Sequence, residues 1–217
     1  MNAIVIGGTG ATGRQLIKQL LNSNKWIKVT SIGRRPVLNG KKHEKLVDIV
    51  VDSMHELHST ASEWGGHNSF FNCIGTTRGL AGSADNFVRI EKEISSDAAA
   101  LASRAEIPHA SLISANGANH KQWSLNWIHP LLYIKTMGMK EQTLIENNFK
   151  NISIFRPGLL IRKIQNLSIP EKVLVKVGKG LSVNLLAAAM ILDAEQNFDS
   201  KNKINYYQGN SRIKELV

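Results

Sequence analysis

The stretch Met1 to Gly13, MNAIVIGGTGATG, constrains this chain more than any other part of it. Ala3, Ile4, Val5 and Ile6 form a short unbroken apolar run, the pattern of a central parallel strand covered on both faces. Gly7, Gly10 and Gly13 follow. The first permits a sharp turn, the second lets backbone approach a pyrophosphate, and the third lets the next helix pack closely on the strand. That helix would start at the phosphate, with its free N–H groups and positive dipole end turned toward it.

Any tight strand-to-helix connection can use glycine, so the flanking pattern has to carry the assignment. Leu16, Ile17, Leu20 and Leu21 make an apolar stripe at helical spacing, and a second apolar run, Trp26 to Ile32, follows Asn22, Ser23 and Asn24. The pattern predicts a β-α-β unit for dinucleotide binding, with a purely structural glycine turn as the alternative. In NAD-binding versions of this unit a carboxylate at the end of the second strand holds the ribose 2′-hydroxyl, whereas NADP-binding versions place arginine there. This chain has Gly33, Arg34 and Arg35 and no carboxylate, which favours NADP(H). The competing reading of the arginine pair is a solvated basic loop.

At 217 residues the expectation is one well-buried domain. Lys and Arg number 27 against 17 acidic residues, a net charge of +10. The basic residues are scattered without long runs or an aromatic stripe, so no specific nucleic-acid partner is expected, and a polyphosphorylated cofactor accounts for part of the excess. The single cysteine, Cys73, lies in an apolar run and reads as a buried small hydrophobe in a reducing compartment, the cytoplasm. No secretory signal is visible, and no apolar run reaches the roughly 18 residues of a membrane span.

Further along, Leu46 to Val51 reads as a third strand. Asp52 at its end accepts from the adenine amino group, or else Asp52 or Ser53 caps the next helix; both readings stay open. His55 and His58 lie three apart with no supporting ligand set, so they read as solvated histidines and no metal is expected. Ser69 to Ile74 is the fourth strand, which places Ile74 and Gly75 beside the ribose and nicotinamide half of the cofactor. Asp85 to Arg104 reads as one long helix and His109 to Ser114 as the fifth strand. The apolar connection from Ala115 to Pro130, with Trp123 and Trp127, reads as a substrate lid, a subunit contact or core packing beneath the loop. A helix from Leu131 to Asn148 carries Tyr133, and Ile152 to Phe155 is a sixth strand entering Arg156, Pro157 and Gly158. The tail offers a helix at Val183 to Ala194, a short strand at Ile204 to Tyr207 and a last turn at Ser211 to Leu216. The elements together predict an α/β fold: a doubly wound, Rossmann-type parallel sheet in three α/β/α layers, with a small substrate-side region at about 159–217.

The order of elements with GGTGATG, SIGRRP, GTTRGLAGSADNFVRIE, SLISANGA, LLYIKTMGMKE and IFRPGLL resembles the atypical short-chain dehydrogenase/reductase superfamily, in the branch of the Tat-interacting-protein oxidoreductases. The resemblance implies NADPH contacts at Thr9, Gly10, Thr12, Gly13, Arg34, Arg35, Ile74, Gly75, Tyr133, Pro157 and Gly158. It also implies a catalytic Tyr, a Lys four residues later and a Ser after the fifth strand. The Lys lowers the tyrosine pKa, whose ordinary value near 10 is too high for acid–base work at neutral pH. Here Tyr133 is present, but Met137 stands in the lysine position and Ala115 in the serine position. Lys140, two turns along the same helix face, and Ser114 are the remaining candidates to stand in. Two functions follow: a weak or specialised NADPH-dependent carbonyl reductase acting on an unknown small molecule, or a catalytically degenerate NADP(H)-binding regulator or redox sensor. In the second, the Trp123 to Leu132 loop would contact a protein partner or a second copy of the chain.

Overall fold

The computed structural model describes residues 1–125, 127–162, 180–197 and 203–217. The turn at Gly7 ends β1 (Asn2–Ile6) and starts α1 (Ala11–Asn22), which leads to β2 (Lys28–Gly33) and β3 (Leu46–Val50). The chain then returns to the other side of β1 as β4 (Ser69–Asn72) and continues through α2 (Arg78–Ala81), α3 (Ala84–Val88) and α4 (Ile94–Arg104). β5 (His109–Ile113), α5 (His129–Ile145) and β6 (Asn151–Arg156) follow, and α6 (Val183–Gln196), β9 (Lys203–Gln208) and α7 (Gly209–Lys214) complete the layers. β7 (Leu160–Ile161) and β8 (Leu181–Ser182) form a separate parallel pair. The main sheet is wholly parallel in the order β3-β2-β1-β4-β5-β6-β9. Its strand order reverses between β1 and β4, the point at which such sheets bind ligand.

Residues of alternate parity on the strands explain the unbroken apolar runs. Ala3, Val5 and Phe71 face α1 and α6, where Leu16, Leu20, Leu186 and Met190 pack, while Ile4, Ile6 and Phe70 face α4 and α5 with Ile94, Ala98 and Leu144. The doubly wound, three-layer single-domain fold is therefore as the sequence predicts, and the last short strand proves to be the sheet's seventh. Of the substrate-side region at about 159–217, residues 163–179 and 198–202 lie outside the described residues.

Two boundaries differ for physical reasons. The second apolar run begins as strand at Lys28 rather than Trp26, because Trp26 turns into the core and its indole N–H donates to Glu195 Oε1 at 2.9 Å. The long helix at 85–104 is broken by a π-helical turn, Arg89–Glu93, between α3 and α4. Wide turns of this kind occur where a side chain must be aimed differently from the rest of its helix. Glu91 in this turn is buried.

A buried polar cluster ties α6 to the sheet at the edge away from the glycine turn. His109 lies 3.2 Å from Ser69 Oγ, 3.3 Å from Ser153 Oγ and 3.5 Å from Asp193 Oδ2. The Tyr207 hydroxyl and the Asn197 amide donate to Asp193 Oδ1. Burial alone would raise the Asp193 carboxyl, but bonds and attraction from His109, with the Ser153 and Tyr207 hydroxyls, outweigh it and hold the group below its ordinary value. A carboxyl depressed on folding stabilises the fold fully above its unfolded value of about 4, and that contribution disappears as pH falls through the folded value. Asp193→Ala is expected to cost about 3 kcal/mol at neutral pH, a fall of roughly 10 °C in Tm, with the difference from the native chain shrinking in acid; calorimetric melts across pH check it.

Candidate functional site

The glycine turn is dictated by contact. Gly7 has φ +76°, and a Cβ on it would lie 2.5 Å from the Cys73 carbonyl carbon; a Cβ on Gly13 would lie 2.3 Å from the Gly7 oxygen. Only bare backbone lets β1, β4 and α1 approach this closely. Gly10 caps α1 without any side-chain hydrogen bond, and no acidic residue stands in the first turn. The N-terminal amides and dipole end of α1 are thus available to an anion, and the geometry fits a pyrophosphate.

A groove of about 630 Å³ opens over this turn. Gly7, Gly8, Thr9 and Gly10 form its floor, Arg34, Arg35, Ser53, Met54 and His55 one end, and Cys73, Ile74, Gly75 and Thr76 the other. Among its described lining residues there is no carboxylate, whereas three arginines are present, since Arg89 joins Arg34 and Arg35. Arg34 and Arg35 are exposed and, among the described residues, have no ion-pair partner. Their loop is held from behind, where Val37 N donates to Asp48 Oδ2 at 2.9 Å. The residues of the turn and of the β2 and β4 ends thus meet in one groove. Thr12 is buried and Gly13 is packed within α1 beneath it.

Asp52 does not line the groove; it is exposed, and Ser53 performs the capping by accepting from His55 N at 3.2 Å. Pro157 and Gly158 follow β6, outside the groove lining. The Pro157 carbonyl accepts from Asn116 N at 2.9 Å, and Gly158 N donates to Asn210 Oδ1 at 2.9 Å. His55, Asn86 and Arg89 line the groove without having been singled out as cofactor contacts, because nothing in their local sequence marks them. His58 instead approaches Asp97 at 3.9 Å, and no metal-holding cluster is found among the described residues. Burial pushes the Cys73 thiol up to about 12, which makes it unreactive at neutral pH.

Beyond β4 lies Tyr133, in the second turn of α5. Its ring stacks on Phe87 at 5.9 Å and meets His129 edge-on at 6.3 Å. Met137, one turn on, is buried in the same apolar cluster as Phe87 and Ala115. Burial raises the Tyr133 phenol above its ordinary value, the negative charge of Glu91 adds to that, and Arg162 opposes it. The shift is opposite to the one a neighbouring ammonium would give.

Neither stand-in reaches the phenol. Ser114 Oγ donates to Glu141 Oε1 at 2.5 Å, and that carboxylate is also gripped by Arg156 through Nε at 2.8 Å and a terminal nitrogen at 2.5 Å. Lys140 is buried, donating to Glu91 Oε2 at 2.9 Å and to the Ile74 carbonyl at 2.6 Å. Among the described residues no ammonium or hydroxyl hydrogen-bonds the Tyr133 oxygen. In the preceding connection, Trp123 and Trp127 are 63% and 74% exposed, so core packing is not what these two side chains do.

A wholly parallel doubly wound sheet with a glycine-lined groove at its switch point, free of carboxylates among its described lining residues, defines a Rossmann-type nucleotide-binding protein. Residues 7–190 match the model of a family described as NAD(P)H-binding. The chain is 34% identical over 160 residues to the protein HTATIP2 of Rattus norvegicus, covering 74% of this chain and 63% of that one. It is 35% identical over 165 residues to the mitochondrial protein FMP52 of Debaryomyces hansenii, covering 76% and 69%. By fold it is similar to the oxidoreductase ylbE of Lactococcus lactis, with a TM-score of 0.66 at 17% identity over 100% of this chain and 94% of that one. It is also similar to MoeE5 in complex with UDP-glucose and NAD, with a TM-score of 0.70 at 14% identity over 96% and 75%. The chain belongs to the NAD(P)H-binding family, with FMP52 and HTATIP2 among its relatives. No helix among the described residues is long and apolar enough to cross a membrane.

Proposed function

We propose that this protein binds NADP(H) rather than NAD(H) and acts as a slow or specialised NADPH-dependent carbonyl reductase. The observation that carries the coenzyme choice is the groove end where, among the described residues, two guanidiniums have no ion-pair partner and no carboxylate lines the groove. A 2′-phosphate fits guanidinium forks, and a ribose diol has no carboxylate there to receive it. The α1 amides and the turn from Gly7 to Gly10 would hold the pyrophosphate, and Ile74 and Gly75 would flank the nicotinamide ribose. When bound, the coenzyme supplies a hydride. Tyr133 would donate the proton to the substrate oxygen, as an acid weakened by its apolar surroundings. Calorimetry with NADPH and NADH tests the choice: equal affinity, or preference for NADH, overturns it.

The neighbourhood of Tyr133 favours a second reading, a cofactor-binding regulator or redox sensor. Both proposed stand-ins, Ser114 and Lys140, are committed to buried carboxylates, and two exposed tryptophans offer a protein partner or second copy a contact. Tyr133→Phe separates the readings. A reductase is expected to lose about a hundredfold of its NADPH consumption with carbonyl or quinone substrates while still binding NADPH. A regulator is expected to keep its biological effect unchanged. A substrate-side region at about 159–217 and a cytoplasmic address belong to the same proposal. The mitochondrial names of the yeast relatives make mitochondria the competing address, and cell fractionation decides between them.

A further inference from the structure

The groove's second end rests on a buried ion pair that the proposed chemistry does not use. Glu91, in the π-turn, and Lys140, on α5, are 2% and 1% exposed. Their carboxylate and ammonium meet at 2.9 Å. Each also reaches the backbone that follows β4: Lys140 Nζ donates to the Ile74 carbonyl at 2.6 Å, and Glu91 Oε1 accepts from Thr76 N at 2.6 Å. Ile74, Gly75 and Thr76 line the groove at the end opposite Arg34 and Arg35. Since β4 lies across β1 from β2, this end faces the half of the dinucleotide that carries the nicotinamide.

Taking two charges out of water is costly, and a buried pair is only weakly stabilising compared with apolar side chains of similar size. What such a pair supplies is geometry. One carbonyl and one amide of a short loop are clamped between two helical segments by short charge-assisted bonds. The π-turn widens the helix where Glu91 points inward, and Lys140 spans from α5 to the same loop.

We propose that Glu91 and Lys140 are positioning residues for the nicotinamide half of the groove: by clamping the Ile74–Thr76 backbone they set the affinity for the reactive end of the coenzyme and leave the adenosine end untouched. The inference rests on the NADP(H) reading above. It separates two functions of one groove, with recognition of the phosphorylated adenosine at β2 and presentation of the dihydronicotinamide at β4.

The test compares two probes, NADPH and adenosine 2′,5′-bisphosphate, the latter standing for the adenosine half alone. Lys140→Met by itself strands a buried carboxylate and is expected to compromise folding, so the variant to read is Glu91→Gln with Lys140→Met, which leaves neither charge. This double variant is expected to bind NADPH about tenfold or more weakly than the native chain and to bind the bisphosphate within about twofold of it. NADPH affinity equal to native overturns the positioning role, and so does an equal loss with both probes, the mark of a general structural defect. A native chain that binds neither probe overturns the NADP(H) reading itself, and the inference with it. A measurement on the native chain needs no substitution: the Thr76 amide, bonded to a buried carboxylate, is expected to exchange with solvent at least about tenfold more slowly than an unstructured amide. Exchange at the unstructured rate overturns the clamp.

Discussion

Alanine at both Arg34 and Arg35 is expected to weaken NADPH binding by about a hundredfold while leaving NADH binding within about twofold of the native chain. Both side chains are exposed, line one end of the groove and have no ion-pair partner among the described residues, so their removal strands no buried charge and leaves the fold intact. A hydrogen bond to a charged group contributes roughly 1.5–3 kcal/mol, and about 1.4 kcal/mol is tenfold in affinity, so two partly solvated contacts to a phosphate amount to about two decades. Titration calorimetry with both coenzymes reads the effect. An equal loss for NADH would mean that the pair supports the loop rather than reads the phosphate, and no loss would mean a solvated basic loop.

Supplying the lysine and serine that the resemblance implies should have the opposite sign. Met137→Lys together with Ala115→Ser is expected to raise the rate of carbonyl or quinone reduction by about 10²-fold, the lower end of what general acid–base catalysis contributes. Both positions lie in the apolar cluster beside Tyr133. Burial and the Glu91 charge now raise the phenol, and an ammonium one helical turn away would work against both. The phenolate absorbance of Tyr133 should then titrate at lower pH than in the native chain, a readout that needs no substrate. A desolvated lysine lowers stability, so melting is followed in parallel. Unchanged turnover with a lowered phenol titration would show that the missing groups are not what limits the rate, and would favour the regulator.

What could be read in advance follows the range of the interactions involved. The turn at Gly7, the apolar parity of Ala3 to Ile6 and the helical stripe of α1 are set by neighbours within a few residues, so their spacing was visible before any folding. The same holds for Arg34 and Arg35, because a strand of known length must end where Gly33 stands. The break of the 85–104 helix was not legible, since Glu91 turns inward toward partners 15 residues back at Thr76 and 49 ahead at Lys140. The capping role of Ser53, open between two adjacent residues, was decided by which side chain reached the His55 amide.

Lys140 and Ser114 show the boundary most plainly. Helical spacing placed Lys140 on the same face as Tyr133, two turns on, and strand order placed Ser114 at the end of β5; both statements concern the backbone alone. Whether either group could serve the phenol depended on competing partners, Glu91 for one and the Glu141–Arg156 pair for the other. The sequence by itself thus determined a glycine-rich strand-to-helix turn, a parallel sheet, and Met137 and Ala115 in the positions where the resemblance implies a lysine and a serine. Only the tertiary structure decided that the substitutes were already engaged, because a buried charge goes to the nearest opposite charge, and that distance exists only once the chain has folded.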